Sequence, residues 1–440
     1  MTRERLHTIL TLSLPIIGGM TSQNIMNLVD TAMVGTLGAP ALAAVGMCSF
    51  LNFMAIALIT GLSSAVQATA ARRFGEGRWN ETAVPLNGGL LLALLIGLPL
   101  SILLITLTPW IFPLLIDDPA VVREGVPYLS ARLVGMIAIG MNFSFRGYWN
   151  GVNLSKLYMY TLLTMHALNV FLNYCLIFGK LGFPELGTLG AGIGTSVSVF
   201  VGTGIYFTLA RRKADDAGFL HRIPSAEQLK SLLRLGMPAS IQQLFFAAGF
   251  TALFWIIGQV GTPELAVANV LINITLVAVL PGIGFGLAAA SLVSQALGRE
   301  DKADAHRWAW DVCKVGGTAL FLLGLPMVLV PDWILALFLH DPHLLDLGRN
   351  PLRLVGASIA LDGIGLILMN ALLGAGASGI VMRVGIGLQW LIFLPIAWLL
   401  GPGLGYGLLI IWVAFMSYRL LQAVIFIGFW EKRAWADIKV

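Results

Sequence analysis

Two acids stand where a chain this apolar should tolerate none: Asp30 and Asp362 fall inside long apolar stretches of the 440-residue sequence. An ionised carboxylate at the centre of a spanning helix costs roughly 2.5–3.5 kcal/mol, so such residues normally face a polar interior and are functional candidates. Asp362 follows Arg353 by about 14 Å of helix at 1.5 Å per residue, near the midplane of a membrane. Asp30 is shallower. Each has a bland alternative: Asp30 can end its span at the outer headgroups, and Asp362 can be a packing acid bonded to a neighbouring hydroxyl. At 100° per residue, Gln23, Asn24, Asn27, Asp30 and Thr31 share an arc of about 120°, so one face of that helix is polar and turned to a wet interior. Asn169 and Asn173, one turn apart, offer amide oxygens on a common face, and Thr195 supplies a hydroxyl. As interhelical glue such amides are worth about 0.6 kcal/mol apiece. A carboxylate among neutral oxygens can carry a proton where desolvation favours the neutral acid, or hold a hard monovalent cation. His166, one turn before Asn169, is either a proton relay or a satisfied packing residue, the commoner case. Pro15 removes a backbone hydrogen bond and permits a bend. Further on, Gln242, Gln243, Asn273 and Met369 either line a substrate cavity or pack helices.

These residues need helices to hold them. Apolar residues make up 58% of the sequence and charged ones 11%, against about 45–50% and 25% in soluble domains. That balance predicts an all-α membrane protein and excludes a cytosolic enzyme. The apolar run after Arg5 is too long for a secretory leader and has no small-residue cleavage site. Spans are expected near 8–36, 42–71, 86–113, 125–147, 157–178 and 189–211, then near 230–259, 265–297, 311–337, 350–373, 380–400 and 404–430. Of the 27 Lys and Arg residues only Arg123, Arg132, Lys180, Arg349 and Arg353 fall on the outer side, so both termini are expected in the cytoplasm and the span number is even. The net charge of +5 is then a topology signal, not a mark of nucleic-acid binding. Cys48, Cys175 and Cys313 have no paired spacing, and neither a disulfide nor a bound cofactor is expected. Gly190/Gly194 and Gly282/Gly286 read as close helix contacts.

The chain also repeats itself. A gapless shift of 223 residues aligns Val34-Gly-Thr-Leu-Gly-Ala-Pro40 with Ile257-Gly-Gln-Val-Gly-Thr-Pro263, Pro15 with Pro238, Gly61 with Gly284, Trp110 with Trp333, and Asp118-Pro119 with Asp341-Pro342. Matches of Gly, Pro and Trp at break positions persuade more than matches of Leu or Ala. Two six-helix bundles of like orientation, pseudo-symmetric about a central cavity, follow. The boundaries are residues 1–211, a linker at 212–229 and 230–440. In the linker, Ser225-Ala-Glu-Gln228 forms a capping box that should open an amphipathic surface helix through Leu229, Leu232 and Leu233.

Pro15 fifteen residues before Asp30 in Val29-Asp-Thr-Ala-Met-Val-Gly35, Arg73-Phe-Gly-Glu-Gly77, and Leu172-Asn-Tyr-Cys-Leu-Ile-Phe-Gly179 followed by Gly187-Thr-Leu-Gly-Ala-Gly-Ile-Gly-Thr195 are the most specific stretches. On them the sequence resembles the MATE (multidrug and toxic compound extrusion) family over essentially its whole length. The resemblance implies two six-helix lobes, a V-shaped cavity and export of cationic or amphipathic compounds against inward H⁺ or Na⁺. It further implies that Asp30, Asn169, Asn173 and Thr195 gather inside the first lobe, as a proton site or a possible Na⁺ site, and that the bend at Pro15 responds to Asp30. Features are mixed. The Glu of NorM-type members is Ala247 here, the second Asp of DinF-type members is Asn173, and Asp362 is kept twelve residues before Gly374 as in NorM-type sequences.

The reading is thus a monomeric multidrug antiporter of the bacterial inner membrane, coupled to H⁺ in preference to Na⁺, with ion coupling at Asp30, Asn169, Asn173, Thr195 and Asp362. Gln23, Asn24, Asn27, Gln242, Gln243, Asn273 and Met369 are the cavity candidates, and drugs and membrane lipids the partners. The alternative is a lipid-linked oligosaccharide flippase of the same superfamily.

Overall fold

The computed structural model describes all 440 residues. It is helical throughout: α1 (Arg3–Gly35), α2 (Ala39–Gly75), α3 (Val84–Leu115), α4 (Pro119–Val134), α5 (Met136–Gly151), α6 (Ser155–Phe178), α7 (Thr188–Lys213), α8 (Ala226–Val260), α9 (Thr262–Gly298), α10 (Lys302–Leu329), the short α11 (Pro331–Leu335), α12 (Pro342–Ala375), α13 (Ser378–Ile386), α14 (Leu394–Trp398) and α15 (Leu408–Glu431). Ten helical segments are long and apolar enough to cross a membrane, and eleven when α4 and α5, bent by 44° at Gly135, count as one. The chain is therefore a multi-pass membrane protein. α1 has spanning length at 33 residues but is not among these, the cost of its polar face.

Boundaries follow local chemistry. Asp118 and Asp341, the repeat-related pair, are both N-caps: each side chain accepts from the backbone N–H two residues on, Ala120 or His343, at 2.9 Å, with proline following at the first helical position. The capping box forms as written, with Ser225 N–H donating to Gln228 Oε1 at 2.9 Å and Gln228 N–H to Ser225 Oγ at 3.2 Å. It opens no separate surface helix, however. α8 runs unbroken from Ala226 to Val260, because the apolar side of the first two turns continues straight into the span. The segment between Ser378 and Gly403 is also less regular than a plain span. Wide π-type turns cover Gly387–Phe393 and Leu399–Gly403, beside Pro395 and Pro402, which have no N–H to close an ordinary α turn.

Contacts divide the chain into two compact units, and not at the linker. One comprises Gly18–Ser240; the other comprises Met1–Ile17 with Ile241–Val440. Relative to the expected boundaries at 211 and 230, the first seventeen residues of the chain are counted with the C-terminal half, and residues up to Ser240 with the N-terminal half. Each changeover, at Gly18 and at Ile241, comes three residues after a proline, Pro15 or Pro238, and the two lie one repeat length apart.

Inside the Gly18–Ser240 unit the core gathers Val34, Val45, Cys48, Phe112, Tyr128 and Leu133 around α2 and α4. α2 meets the start of α8 at Gly61, whose N–H donates to Ser240 Oγ at 2.9 Å. A Cβ there would lie 1.9 Å from the Gly236 carbonyl oxygen. Gly61→Ala should therefore force the two backbones apart and destabilise the protein by about 1–3 kcal/mol, the usual cost of overpacking, read as a lower apparent Tm in detergent. Inside the other unit, Leu271, Leu320, Leu352, Val355, Ile411 and Trp412 centre a core of α9, α10, α12 and α15.

Candidate functional site

In the Gly18–Ser240 unit, α1 and α6 face each other through polar side chains. Low on the pair, Ser22 Oγ lies 2.6 Å from His166 Nδ1, and His166 Nε2 lies 3.0 Å from Gln23 Oε1. The Gln oxygen only accepts, so the neutral ring donates from Nε2 and accepts at Nδ1 from the Ser22 hydroxyl. Gln23 Nε2 passes the chain on to Asn27 Oδ1 at 3.2 Å. Two turns higher, Asn173 Nδ2 donates to Asp30 Oδ1 at 2.7 Å.

These contacts climb together, from Ser22 to Asp30 on α1 and from His166 to Asn173 on α6, so the two helices run in the same direction. That requires an even number of reversals between them. α2, α3 and a single bent α4–α5 span supply it; α4 and α5 as separate spans would not.

The Asp30 end continues inward. Asn173 Nδ2 also donates to Asn169 Oδ1 at 3.2 Å, Asn169 Nδ2 donates to Thr195 Oγ1 at 3.0 Å, and the Thr195 hydroxyl donates to the Ala191 carbonyl at 2.9 Å. The structure thus joins Asp30, Asn169, Asn173 and Thr195 in one hydrogen-bonded chain across α1, α6 and α7. Asn169, Asn173 and Thr195 are buried and Asp30 half-buried. The close approach of α7 depends on Gly194, where a Cβ would lie 2.2 Å from Asn173 Oδ1. That oxygen is buried and has no hydrogen-bond partner. Arg132 on α4 is the cation whose field reaches Asp30, while its Nη1 donates to the Tyr128 hydroxyl at 3.1 Å.

As a cation cage the arrangement is thin. In it Asn173 turns its nitrogen, not its oxygen, toward the carboxylate, the Asn169 oxygen is taken up by Asn173, and the Thr195 oxygen is already engaged at both its proton and a lone pair. A bound Na⁺ needs oxygens on every side, whereas a proton needs only the carboxylate.

Asp362 stands differently. Its Oδ1 lies 2.8 Å from Arg419 Nη2, with Asp362 buried on α12 and Arg419 partly buried on α15, and Arg419 Nη1 donates to Gln422 Oε1 at 3.1 Å. The sequence did hold a signal for the pair: Arg419 is the one charge between Leu408 and Phe429, and a charge at such depth is expected to find a counter-charge.

The remaining candidates are scattered. Asn24, Gln242, Gln243 and Met369 are half-buried and Asn27 and Asn273 exposed. Asn273 folds back on its own helix, donating to the Asn269 carbonyl at 2.9 Å. Pro15 sits within the uninterrupted α1.

The comparisons with known proteins agree with this architecture. The MatE family model matches twice, over residues 15–175 and 238–399, so its two copies start one repeat length apart. The chain is 26% identical over 442 residues to a probable multidrug resistance protein NorM of Thermotoga maritima, covering 96% of this chain and 92% of that one. It is 28% identical to a probable multidrug resistance protein NorM of a Synechococcus species, covering 93% and 90%. Among solved structures, an outward-facing multidrug resistance MATE family transporter of the MOP superfamily superposes with a TM-score of 0.90 at 23% identity, covering 98% of this chain and 96% of that one. A MOP superfamily transporter from Pyrococcus furiosus gives 0.87 at 22% identity, covering 97% and 95%. The family model takes in most of the chain, in both of its halves, and the chain belongs to the MatE family of membrane transporters.

Proposed function

We propose that the protein is a multidrug efflux antiporter of the bacterial inner membrane, with α1 as a twelfth span and both termini in the cytoplasm. It exports cationic or amphipathic compounds in exchange for protons taken up at Asp30, and it works as a monomer. The NorM relatives, named for multidrug resistance, support efflux. The single observation that carries proton coupling is the Asp30–Asn173 contact, in which a carboxylate inside a span is held by a neutral amide donor and forms no ion pair with a basic side chain. Asp362, neutralised by Arg419, is assigned a structural part.

Coupling requires that the ion favour one conformation over another, since equal affinity for both shifts nothing. The Asn173 amide gives Asp30 that leverage. Charged, the carboxylate accepts from Nδ2. Protonated, it becomes a donor, and a turn of the amide would offer it the Asn173 oxygen that now has no partner. The hydrogen-bonded chain running on to α7 would rearrange with it.

Ethidium efflux from vesicles under an imposed pH gradient or an imposed Na⁺ gradient tests the reading: transport should follow the pH gradient, and transport driven by Na⁺ alone would overturn it. Asn173→Ala should shift the pH of half-maximal efflux upward. Its N–H donor favours the charged carboxylate, so without it the protonated form is held to higher pH. A pH profile superimposable on that of the unaltered protein would remove Asn173 from the coupling chain.

A further inference from the structure

Within the unit that holds α9 to α15, the first turns of α10 and the start of α1 enclose an open cavity of about 340 Å³. Arg5, His306, Arg307, Trp310, Asp311 and Lys314 line it. It lies at the end of the spans that the Lys/Arg bias assigns to the cytoplasmic leaflet, far along α10 from its outer end at Leu329. None of the residues given to coupling or substrate touches it.

Its charges do not balance. Asp311 is the one carboxylate in the wall and is already satisfied, with Arg5 Nε donating to Oδ2 at 2.7 Å and Lys314 Nζ 3.5 Å from Oδ1. The nearby Asp304 takes Arg5 Nη1 at 2.7 Å, Arg299 Nη2 at 3.2 Å and the Trp308 indole N–H at 2.9 Å. Arg5 also lies over the Trp308 ring, 3.7 Å from its centroid, and its Nη2, which has no hydrogen-bond partner, is buried, so it lends the cavity its field but no accessible donor. Arg307 is exposed and paired with no carboxylate. Among the side chains of the wall, Arg5, Arg307 and Lys314 against Asp311 leave two positive charges in excess.

The lining residues of α10 are also aligned. Arg307, Trp310, Asp311 and Lys314 follow a spacing of three, four and seven, which sets them on one face of α10 along about 10 Å of helix. The Trp310 indole N–H is held by Glu431 Oε1 at 2.8 Å, which fixes the ring between the two cations. A positively charged stripe with an aromatic ring at headgroup depth suits an anion attached to an apolar tail.

We propose that this cavity binds a phosphate group, of the kind carried by the headgroup of an anionic phospholipid, through Arg307 and Lys314. Each basic residue near an anionic headgroup is worth about fivefold in affinity, so Arg307→Gln with Lys314→Gln should weaken binding about 30-fold. Arg5 still holds Asp311 in that variant, so the fold is expected to stand, and Arg307→Lys should retain most of the binding.

The test is native mass spectrometry of the delipidated full chain titrated with phosphatidylglycerol or with phosphatidylcholine, in the presence and absence of inorganic phosphate, with Arg211→Gln as a basic-residue control outside the cavity. Preference for phosphatidylglycerol that the double variant loses, and that millimolar phosphate leaves intact, assigns the group to a lipid. The same loss with effective competition by phosphate assigns it to a soluble anion. Equal binding of the two lipids, an undiminished double variant, or an equal loss in the Arg211 control would each overturn the site.

Discussion

In vesicles carrying a one-unit pH gradient, Asp30→Asn abolishes ethidium accumulation. One proton exchanged for one monovalent cation moves no net charge, so the pH gradient alone drives the cycle. One unit is worth about 1.4 kcal/mol, or a tenfold steady-state gradient for each proton coupled. The asparagine keeps the shape and the contact with Asn173 but cannot take up a proton. The gradient should fall from about tenfold to none while the protein still binds ethidium, as equilibrium binding in detergent would check. Accumulation that survives in the variant removes Asp30 from coupling altogether. A membrane potential would add to the drive only where more protons enter than substrate charges leave, so the response to potential at fixed pH gradient also reads the stoichiometry.

The second large effect belongs to the ion pair between α12 and α15. Arg419→Met strands the Asp362 carboxylate in a buried, apolar setting, and breaking a buried pair from one side costs about 3–5 kcal/mol. For units of this size that corresponds to a fall in apparent Tm on the order of 10 °C. Replacing both partners, Asp362→Leu with Arg419→Met, removes the uncompensated charge and should recover most of the loss, since a well-packed apolar pair is often as stable as the buried ions it replaces. The same double variant separates structure from coupling. If Asp362 only pairs with Arg419, proton-driven efflux persists once the fold is restored. A stable double variant that no longer accumulates substrate would give Asp362 a direct part in the cycle.

How much of this was readable in the sequence differs from residue to residue. The polar face of α1 was legible because it depends only on the 100° step of one helix, and the same is true of the Asn169–Asn173 face. The meeting of Asp30 with Asn173 depends on which helices are neighbours and in which register. No periodicity carries that, and it was reached only through the family resemblance. Arg419 shows the limit most clearly. Its depth announced that a partner must exist, yet Asp362 lies on another helix, and only the fold pairs them. The capping box at Ser225 was read correctly as a helix start and wrongly as a separate helix, because local sequence marks where a helix opens and says little about how far packing will carry it. The π-type turns beside Pro395 and Pro402 escaped for a related reason: a proline signals a missing bond, not the way neighbouring turns widen around it.

The division of the chain at Gly18 and Ile241 bears on its ancestry. If the repeat arose by fusing two copies of a half-length gene, the parent was not a pair of self-contained subunits. Each copy would have lent its opening segment, up to just past the proline, to its twin, as in a strand-exchanged homodimer. Neither half would then have been complete before it met the other, and a modern chain severed in the linker should yield two fragments that regain their structure only when synthesised together.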